Sequence, residues 1–224
     1  MNRIALATSA FALSTTMAIA GSLAPAPVEP VVYTPAPIAR HNWTGGYVGL
    51  SLNYGRSSHT PDVAGQILPD ASGFGGGALA GYNWQNGDAV FGVEVAGNVT
   101  NMDGEDECAN AAWDCTSQIS NVISARLRGG IAMDRTLLFA TAGVASAGIR
   151  HQAINAAGTV FEDSHRANGL VVGVGIEHAF AGGWSLRGDL EHYRFSRRDY
   201  ALDVDYIQVR PTMNMARISA VWRF

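Results

Sequence analysis

The sequence predicts an all-β fold, namely an eight-stranded antiparallel transmembrane up-and-down β-barrel with short periplasmic turns and four long extracellular loops. Three observations indicate it. Apolar residues alternate with small or polar ones at period two in eight segments, as along strands with two different faces. The connections between these segments are alternately short and long. Beyond residue 20 no stretch is apolar enough for a spanning helix, so a membrane protein with this sequence must be a barrel.

The chain begins with a predicted secretory signal, residues 1–20. Arg3 supplies its positive charge, an apolar stretch follows, and Ala18-Ile19-Ala20 is a small-x-small cleavage site, so we expect cleavage after Ala20. An uncleaved anchor helix is the alternative. Residues 21–42 hold five of the eight prolines and are predicted to form an extended periplasmic tether, because proline cannot donate to a sheet. The barrel is predicted over residues 43–224.

The first three predicted strands are residues 47–54, 77–85 and 90–99. One face of each carries Val, Leu, Phe, Tyr or Trp, and the other carries mainly Gly, Ser, Asn and Glu. Asn86-Gly87 lies between the second and third strands and is a strong signal for a tight hairpin turn. These strands are therefore expected to follow one another as antiparallel neighbours.

Five further strands are predicted over residues 119–131, 137–147, 168–178, 184–195 and 214–224. Met133-Asp134-Arg135 and Ala181-Gly182-Gly183 provide the remaining short turns. The apolar face of the last strand ends on Trp222 and Phe224. Two outward aromatics at a chain terminus are typical of a barrel strand at a membrane interface.

Aromatic residues collect at the predicted periplasmic end of the strands. Trp and Tyr favour this level because they bury a ring and keep a polar atom in water. The predicted girdle consists of Trp43, Tyr82, Trp84, Phe91, Phe180, Trp184, Trp222 and Phe224. Trp113 is predicted to lie in a loop. The alternative is a soluble β-sandwich with a core of aromatics, which the glycine-rich opposite faces disfavour.

Several motifs carry a family resemblance: G-G-Y-V-G-L at the first strand, A-G-Y-N-W-Q-N-G at the second, S-A-R-L-R-G-G-I-A at the fourth and the terminal W-R-F. Residues 43–224 resemble small outer-membrane β-barrels of the OmpA-like and opacity-protein type, a family that includes outer-membrane immunogenic and porin-like proteins. The resemblance implies the bacterial outer membrane, and it matches Phe224 to the signal that the outer-membrane assembly machinery reads. It implies no single function, because members include porins, adhesins, surface antigens and haem binders.

Charged residues accumulate on the predicted inner faces. They are Glu94, Arg126, Arg128, Glu177, Arg187, Asp189, Glu191, Arg217 and Arg223. An isolated charge in a narrow barrel is costly, so these side chains are expected to pair or to meet trapped water. A structural ion-pair plug is the favoured interpretation, since an eight-stranded barrel is filled by its own side chains. A narrow ion pathway is the alternative.

The predicted loops contain further candidate residues. Cys108 and Cys115 are close together in an exported chain, which favours a disulfide over free thiols or metal ligands. An acidic run in the same loop could bind divalent cations, although simple solvation is favoured. Its members are Asp103, Glu105, Asp106, Glu107 and Asp114. Arginines near the outer end of the seventh strand could meet lipid phosphates: Arg194, Arg197 and Arg198. His151 and His165, in or near the third loop, are expected to be incidental rather than haem or metal ligands.

We therefore predict an outer-membrane barrel with a structural or surface-interaction role and an interior plugged by ion pairs. The alternatives are a small porin for ions or solutes, or haem binding or adhesion through the loops. We predict no enzymatic activity and no cofactor. The expected partners are outer-membrane lipid, lipopolysaccharide, the assembly machinery and a possible surface ligand of the loops. The formal net charge of −4 gives no sign of nucleic-acid binding.

Overall fold

A computed structural model describes residues 41–60, 69–107, 113–155, 157–201 and 205–224. The predicted signal segment, most of the predicted tether and Cys108 lie outside the described residues. Nine strands and one short 3-10 turn, Ala181–Gly183, are present in the described part. The strands are β1 (Gly45–Thr60), β2 (Ser72–Asn86), β3 (Ala89–Glu107), β4 (Trp113–Met133), β5 (Thr136–Asn155), β6 (Val160–Ala179), β7 (Trp184–Phe195), β8 (Arg198–Ala201) and β9 (Asp205–Arg223). Within these ranges no helix is long and apolar enough to cross a membrane.

Eight of the strands close into a ring. Each of β1 to β7 pairs antiparallel with its neighbour, β7 pairs with β9, and β9 returns to β1. The short β8 pairs only with β9 and lies outside this ring. The predicted eight-stranded antiparallel barrel is confirmed, and the sequence pattern missed only β8.

The short connections have the geometry that tight hairpins require. β2 and β3 are joined through Gly87, whose φ is +62°, and β4 and β5 through Asp134, whose φ is +52°. Positive φ at the central residues matches the twist of the flanking strands, and Gly and Asp tolerate it best. All three predicted short turns therefore lie at one end of the barrel, the periplasmic one.

Side-chain exposure alternates along the strands, and the exposed side is the apolar one. Leu50, Leu127 and Ile218 are 72%, 67% and 64% exposed, whereas Ser51, Arg126 and Arg217 are buried. Such a surface would be unfavourable in water, but it is what lipid requires of the outer face of a barrel. The predicted assignment of inner and outer faces holds on every strand of the ring.

β3 to β6 are longer than predicted, at 19 to 21 residues. A strand needs only about 10 residues to cross a bilayer. Beyond the apolar belt the outward positions become polar and exposed, as at Asn101, Gln118 and Arg150. The sequence predicted most of these segments as loops, but the structure continues them as β-ribbons on the extracellular side, and Trp113 is the first residue of β4.

Candidate functional site

The interior of the barrel is filled at three levels. A lower apolar cluster near the short turns comprises Trp43, Val90, Ala132, Leu137, Phe139 and Ala179. A charge network occupies the middle. An upper apolar cluster towards the extracellular side includes Met102, Ile119, Ile149, Tyr193, Phe195 and Met213. Apart from Trp43, which precedes β1, these side chains point inward because they lie at the same alternate strand positions as the buried charges or follow a bulge that shifts the alternation.

Glu94 on β3 is the most connected carboxylate of the charge network. It pairs with the guanidinium groups of Arg126 on β4 and Arg187 on β7. The hydroxyl of Tyr47 on β1 also donates to its Oε2 at 2.9 Å. All three charged side chains have no exposed surface. Four strands of the ring are thus joined through one carboxylate.

Asp189 and Glu191 extend the network along β7. Arg187 donates to Asp189 through Nε at 3.0 Å and Nη2 at 2.7 Å. Glu191 pairs with Arg126 and with Arg217 on β9, and the Tyr193 hydroxyl donates to it at 2.6 Å. Each carboxylate therefore meets at least one arginine, as burial of charge in a narrow lumen requires.

A second, smaller group lies nearer the short turns. Glu177 on β6 accepts from Arg128 on β4 at 2.5 Å and from Arg223 on β9 at 3.0 Å. The Ser185 hydroxyl also donates a hydrogen bond to Glu177, at 2.7 Å. The nine predicted inner charges are thus all brought together, five positive and four negative, as Glu94, Arg126, Arg128, Glu177, Arg187, Asp189, Glu191, Arg217 and Arg223.

Phe139 lies between the two charge groups. The guanidinium carbons of Arg128 and Arg187 are 3.7 and 4.6 Å from its ring centroid. Cations at this distance from an aromatic face are stabilised by its quadrupole. Four further members of the network were not predicted from the sequence: Phe139, Tyr47, Tyr193 and Ser185. They lie at the same alternate, inward-facing strand positions as the inner charges, and this spacing could have predicted them.

Trp43 is not part of an outward aromatic girdle, and this prediction was wrong. The residue is fully buried in the lower apolar cluster. Its carbonyl accepts from Arg223 Nη1 at 2.6 Å, and its backbone N–H donates to Gln85 at 2.7 Å. Trp43 precedes β1, so strand alternation does not fix the direction of its side chain. The hydrogen bond from the inward-facing Arg223 instead positions Trp43 across the periplasmic opening of the barrel. Burial, followed by the charges of Arg223 and Arg135, lowers the pKa of the adjacent His41.

The other predicted girdle residues lie on the outer surface. Tyr82, Trp84, Phe91, Phe180, Trp184, Trp222 and Phe224 are between 41% and 68% exposed. Neighbouring rings touch, with centroids 4.8 Å apart for Tyr82 and Trp84 and 5.4 Å apart for Trp222 and Phe224. All of them lie near the short turns, at the level expected for the membrane–water interface, where aromatic side chains are favoured.

The two loop histidines are inside the extracellular part of the barrel wall. His151 is on β5 and fully buried, with its Nδ1 2.8 Å from the Ser117 hydroxyl. His165 is on β6, 3.5 Å from Asp163. The two ring centroids are 6.5 Å apart. Burial of His151 among protein side chains argues against an axial haem ligand there, because a haem edge needs open space beside the imidazole.

The structure describes only some of the side chains of the predicted acidic run and of the predicted extracellular arginines. Asp103, Glu105 and Asp114 are exposed, and the side chains of Asp106 and Glu107 lie outside the description. Arg194 and Arg197 are exposed on the extracellular side, whereas the side chain of Arg198 is not described. Within the described part of the chain, no three His, Cys, Asp or Glu side chains are grouped so that they could hold a metal ion.

Cys115 is disulfide-bonded, and its side chain is buried. Cys108 lies outside the described residues, so the pairing of the two stays a prediction. We expect alkylation of the unfolded, unreduced protein to leave its mass unchanged, because neither thiol is free. Reduction before alkylation should add two alkyl groups, as read by intact-protein mass spectrometry. An added alkyl group without reduction would contradict the pairing.

Comparison with known proteins agrees with this architecture. The family model described as "Outer membrane protein beta-barrel domain" matches residues 7–224. The chain is similar to the 31 kDa outer-membrane immunogenic protein of Brucella melitensis, at 27% identity over 88% of this chain and 90% of the relative. It is also similar to the 25 kDa outer-membrane immunogenic protein of Brucella ovis, at 29% identity over 81% and 83%.

Among solved structures, the chain is similar to the outer membrane protein OprG of Pseudomonas aeruginosa. The TM-score is 0.49 at 13% identity, over 82% of this chain and 97% of that one. The neisserial surface protein NspA gives a TM-score of 0.47 at 17% identity, over 82% and 100%. With the family match over nearly the whole chain, the protein belongs to the outer membrane protein beta-barrel domain family and is a β-barrel protein of the bacterial outer membrane.

Proposed function

We propose that this protein is a closed barrel with a structural and surface-interaction role, whose interior does not conduct. One observation carries the proposal: the charge network joins opposite walls. In the ring order β1-β2-β3-β4-β5-β6-β7-β9, β3 and β7 are four strands apart, and Glu94 and Arg187 connect them. An ion pair across the full width of the lumen leaves no straight aqueous path at that level.

The apolar clusters support the same function. Trp43 and Leu137 fill the lumen near the short turns, and Phe139 packs between the two charge groups. Met102, Ile119 and Met213 fill the lumen on the extracellular side of the charges. Desolvated ions do not cross such apolar constrictions readily. A solute would have to displace three successive layers of packed side chains to pass through the barrel.

A narrow ion pathway is the second candidate, and a specific observation favours it. Several buried polar side chains on one side of the lumen make no hydrogen bond with other described residues, including Ser51, Asn83 and Ser219. Buried polar groups of this kind usually bind ordered water. A connected file of water along β1 and β2 would allow small ions to pass beside the charge network.

Planar-bilayer conductance distinguishes these two candidates. A chain that begins at Gly21, the predicted mature start, is refolded in detergent, and its folding is verified by heat-sensitive gel mobility. We expect no unitary steps from the folded wild type. Reproducible steps whose size changes in Glu94→Gln or Arg126→Gln variants would instead establish the ion pathway. A variant at an exposed extracellular carboxylate, Glu105→Gln, is the matched control and should not alter either result.

The surface-interaction role is assigned to the extracellular ribbons. At the tip of β5 and β6 the apolar side chains Ile154, Val160 and Phe161 are 37%, 51% and 46% exposed. They lie about 10 residues beyond the apolar belt, or roughly 25 Å above it for tilted strands, so lipid does not cover them. An exposed apolar tip supports recognition of an external surface ligand.

Phe224 is proposed to present the C-terminal strand to the outer-membrane assembly machinery. Its ring is 68% exposed, and its N–H donates to Gly46 at 3.0 Å, which ends the β1–β9 pairing. We expect Phe224→Ala to reduce the amount of heat-modifiable barrel in membranes of expressing cells several-fold while refolding in detergent is unchanged. Phe180→Ala, at the same membrane level, is the control and should assemble normally. Equal assembly of the two variants would contradict the proposal.

A further inference from the structure

A groove runs over the outer surface of β6, β7, β9 and β1. Two consecutive cross-strand rows form it. The lower row is apolar and consists of Val174, Leu190, Ala216 and Tyr54, which are register partners from strand to strand. The upper row, two residues further towards the extracellular side, consists of Val172, His192, Asn214 and Arg56. The groove therefore changes from apolar to polar and cationic at one level.

The small side chain of Ala216 gives the groove its depth. Its register partners on either side are the larger Tyr54 and Leu190, which are 44% and 63% exposed. The outward positions of β9 are small at Ala216 and Ala220, on either side of the exposed Ile218. A channel of this kind, within the lipid-facing belt, has the shape and chemistry to hold an acyl chain.

Two arginines, Arg56 and Arg194, lie at the extracellular end of the groove. Arg194 is in the next row of β7, opposite Thr212, and within the described part of the chain no carboxylate pairs with it. Among the described residues, Arg56 forms an ion pair only with Asp70, at 3.4 Å between largely exposed side chains, so the pair is weak. His192 is oriented by Asn214, with Nδ1 2.8 Å from Oδ1.

Above the belt, the exposed arginines of the described residues are not spread around the whole ring. Above the belt, β2, β3 and β4 present Ser72, Asn101 and Asp103, and their described exposed side chains include no arginine. On β5 and β6, Arg150 pairs with Glu162 at 3.3 Å, and Arg166 is exposed with no carboxylate partner among the described residues. A uniformly basic interface would reflect general attraction to anionic lipid, whereas a one-sided arrangement at a groove indicates a defined site.

We propose that this groove binds a phosphate-bearing acyl lipid of the outer leaflet. One acyl chain lies along Val174, Leu190 and Ala216, and the phosphate is bound by Arg56 and Arg194. Guanidinium groups suit this ligand because their planar donors match phosphate oxygens in pairs. The proposal depends on the orientation of the barrel in the membrane and not on whether its interior conducts, so conductance does not affect it.

The test uses the chain from Gly21, refolded in detergent, and purified bis-phosphorylated lipid A as the probe. Retained lipid is quantified by native mass spectrometry, with dephosphorylated lipid A and inorganic phosphate as comparison ligands. The Arg56→Ala/Arg194→Ala variant should bind lipid A roughly twenty-five-fold more weakly, because each arginine near a membrane surface contributes roughly fivefold. Ala216→Phe, which fills the groove, should also weaken binding. Arg135→Ala, an exposed arginine at the periplasmic end, is the charge-matched control.

The outcomes are distinct. Weakening by both groove variants, none by Arg135→Ala, and poor binding of dephosphorylated lipid A support the proposal. Equal weakening by Arg135→Ala would show unspecific attraction and overturn it. Displacement of lipid A by inorganic phosphate at equal concentration, together with unchanged binding to Ala216→Phe, would identify a free-phosphate site and overturn the acyl part. Heat-sensitive gel mobility verifies that every variant is folded.

Discussion

Glu94→Ala is expected to lower the free energy of unfolding by about 3–5 kcal/mol, because it leaves two buried arginines without their shared carboxylate. Arg126 and Arg187 both pair with Glu94, and neither side chain is exposed to solvent. The Tyr47 hydroxyl would also lose its acceptor. The measurement is urea unfolding of the barrel refolded in lipid vesicles, followed by tryptophan fluorescence.

The control for this prediction is Glu105→Ala on the exposed extracellular part of β3. It removes the same charge from the same strand and should change the stability by no more than about 0.5 kcal/mol. If Glu94→Ala behaved like Glu105→Ala, the lumen around Glu94 would have to be wet enough to hydrate both arginines. That result would favour the ion pathway over the plug.

Leu127→Arg is expected to destabilise the folded barrel by about 2–4 kcal/mol, because it places a charge near the bilayer midplane. Leu127 is 67% exposed at the middle of the apolar face of β4, while its neighbours Arg126 and Arg128 are buried. Urea unfolding of the barrel in lipid vesicles, followed by tryptophan fluorescence, measures this change in stability. The same substitution would be harmless if water covered this face.

Gln118→Arg is the control for the lipid-facing prediction. It lies on the same strand and is also exposed, but it stands on the extracellular ribbon above the belt. We expect its stability to match that of the wild type. Equal destabilisation by the two substitutions would contradict the assignment of the membrane belt, and no effect from either would contradict the lipid-facing surface itself.

The fold could be predicted because a barrel strand with lipid on one side has to alternate. Leu127 between two arginines is understandable only if lipid lies on one side and an ion-pair network on the other. The same alternation identified all nine inner charges. It also places Tyr47 and Tyr193 on the inner face, where they donate to Glu94 and Glu191, respectively. They were missed because a tyrosine on an inner face does not reveal which carboxylate it meets.

The extracellular ribbons could not be predicted because the alternation changes phase there. The pairing of β4 with β5 skips Ser120, so Ile119 faces inward while Ile123 faces lipid, although the two residues are four apart. Such a β-bulge inserts one residue and reverses the period-two pattern. The direction of Trp43 was equally hidden, because it precedes the first strand and is fixed by a residue 180 positions away.

The most direct test of the closed interior is a double-mutant cycle between Glu94 and Arg187, the pair that joins opposite walls of the ring. Unfolding free energies of Glu94→Ala, Arg187→Ala and the double variant are compared with that of the wild type. We predict a coupling energy of about 2 kcal/mol or more, as for close, desolvated charge pairs. Additive effects with no coupling would show that the two side chains do not meet across the lumen, and would contradict the closed barrel.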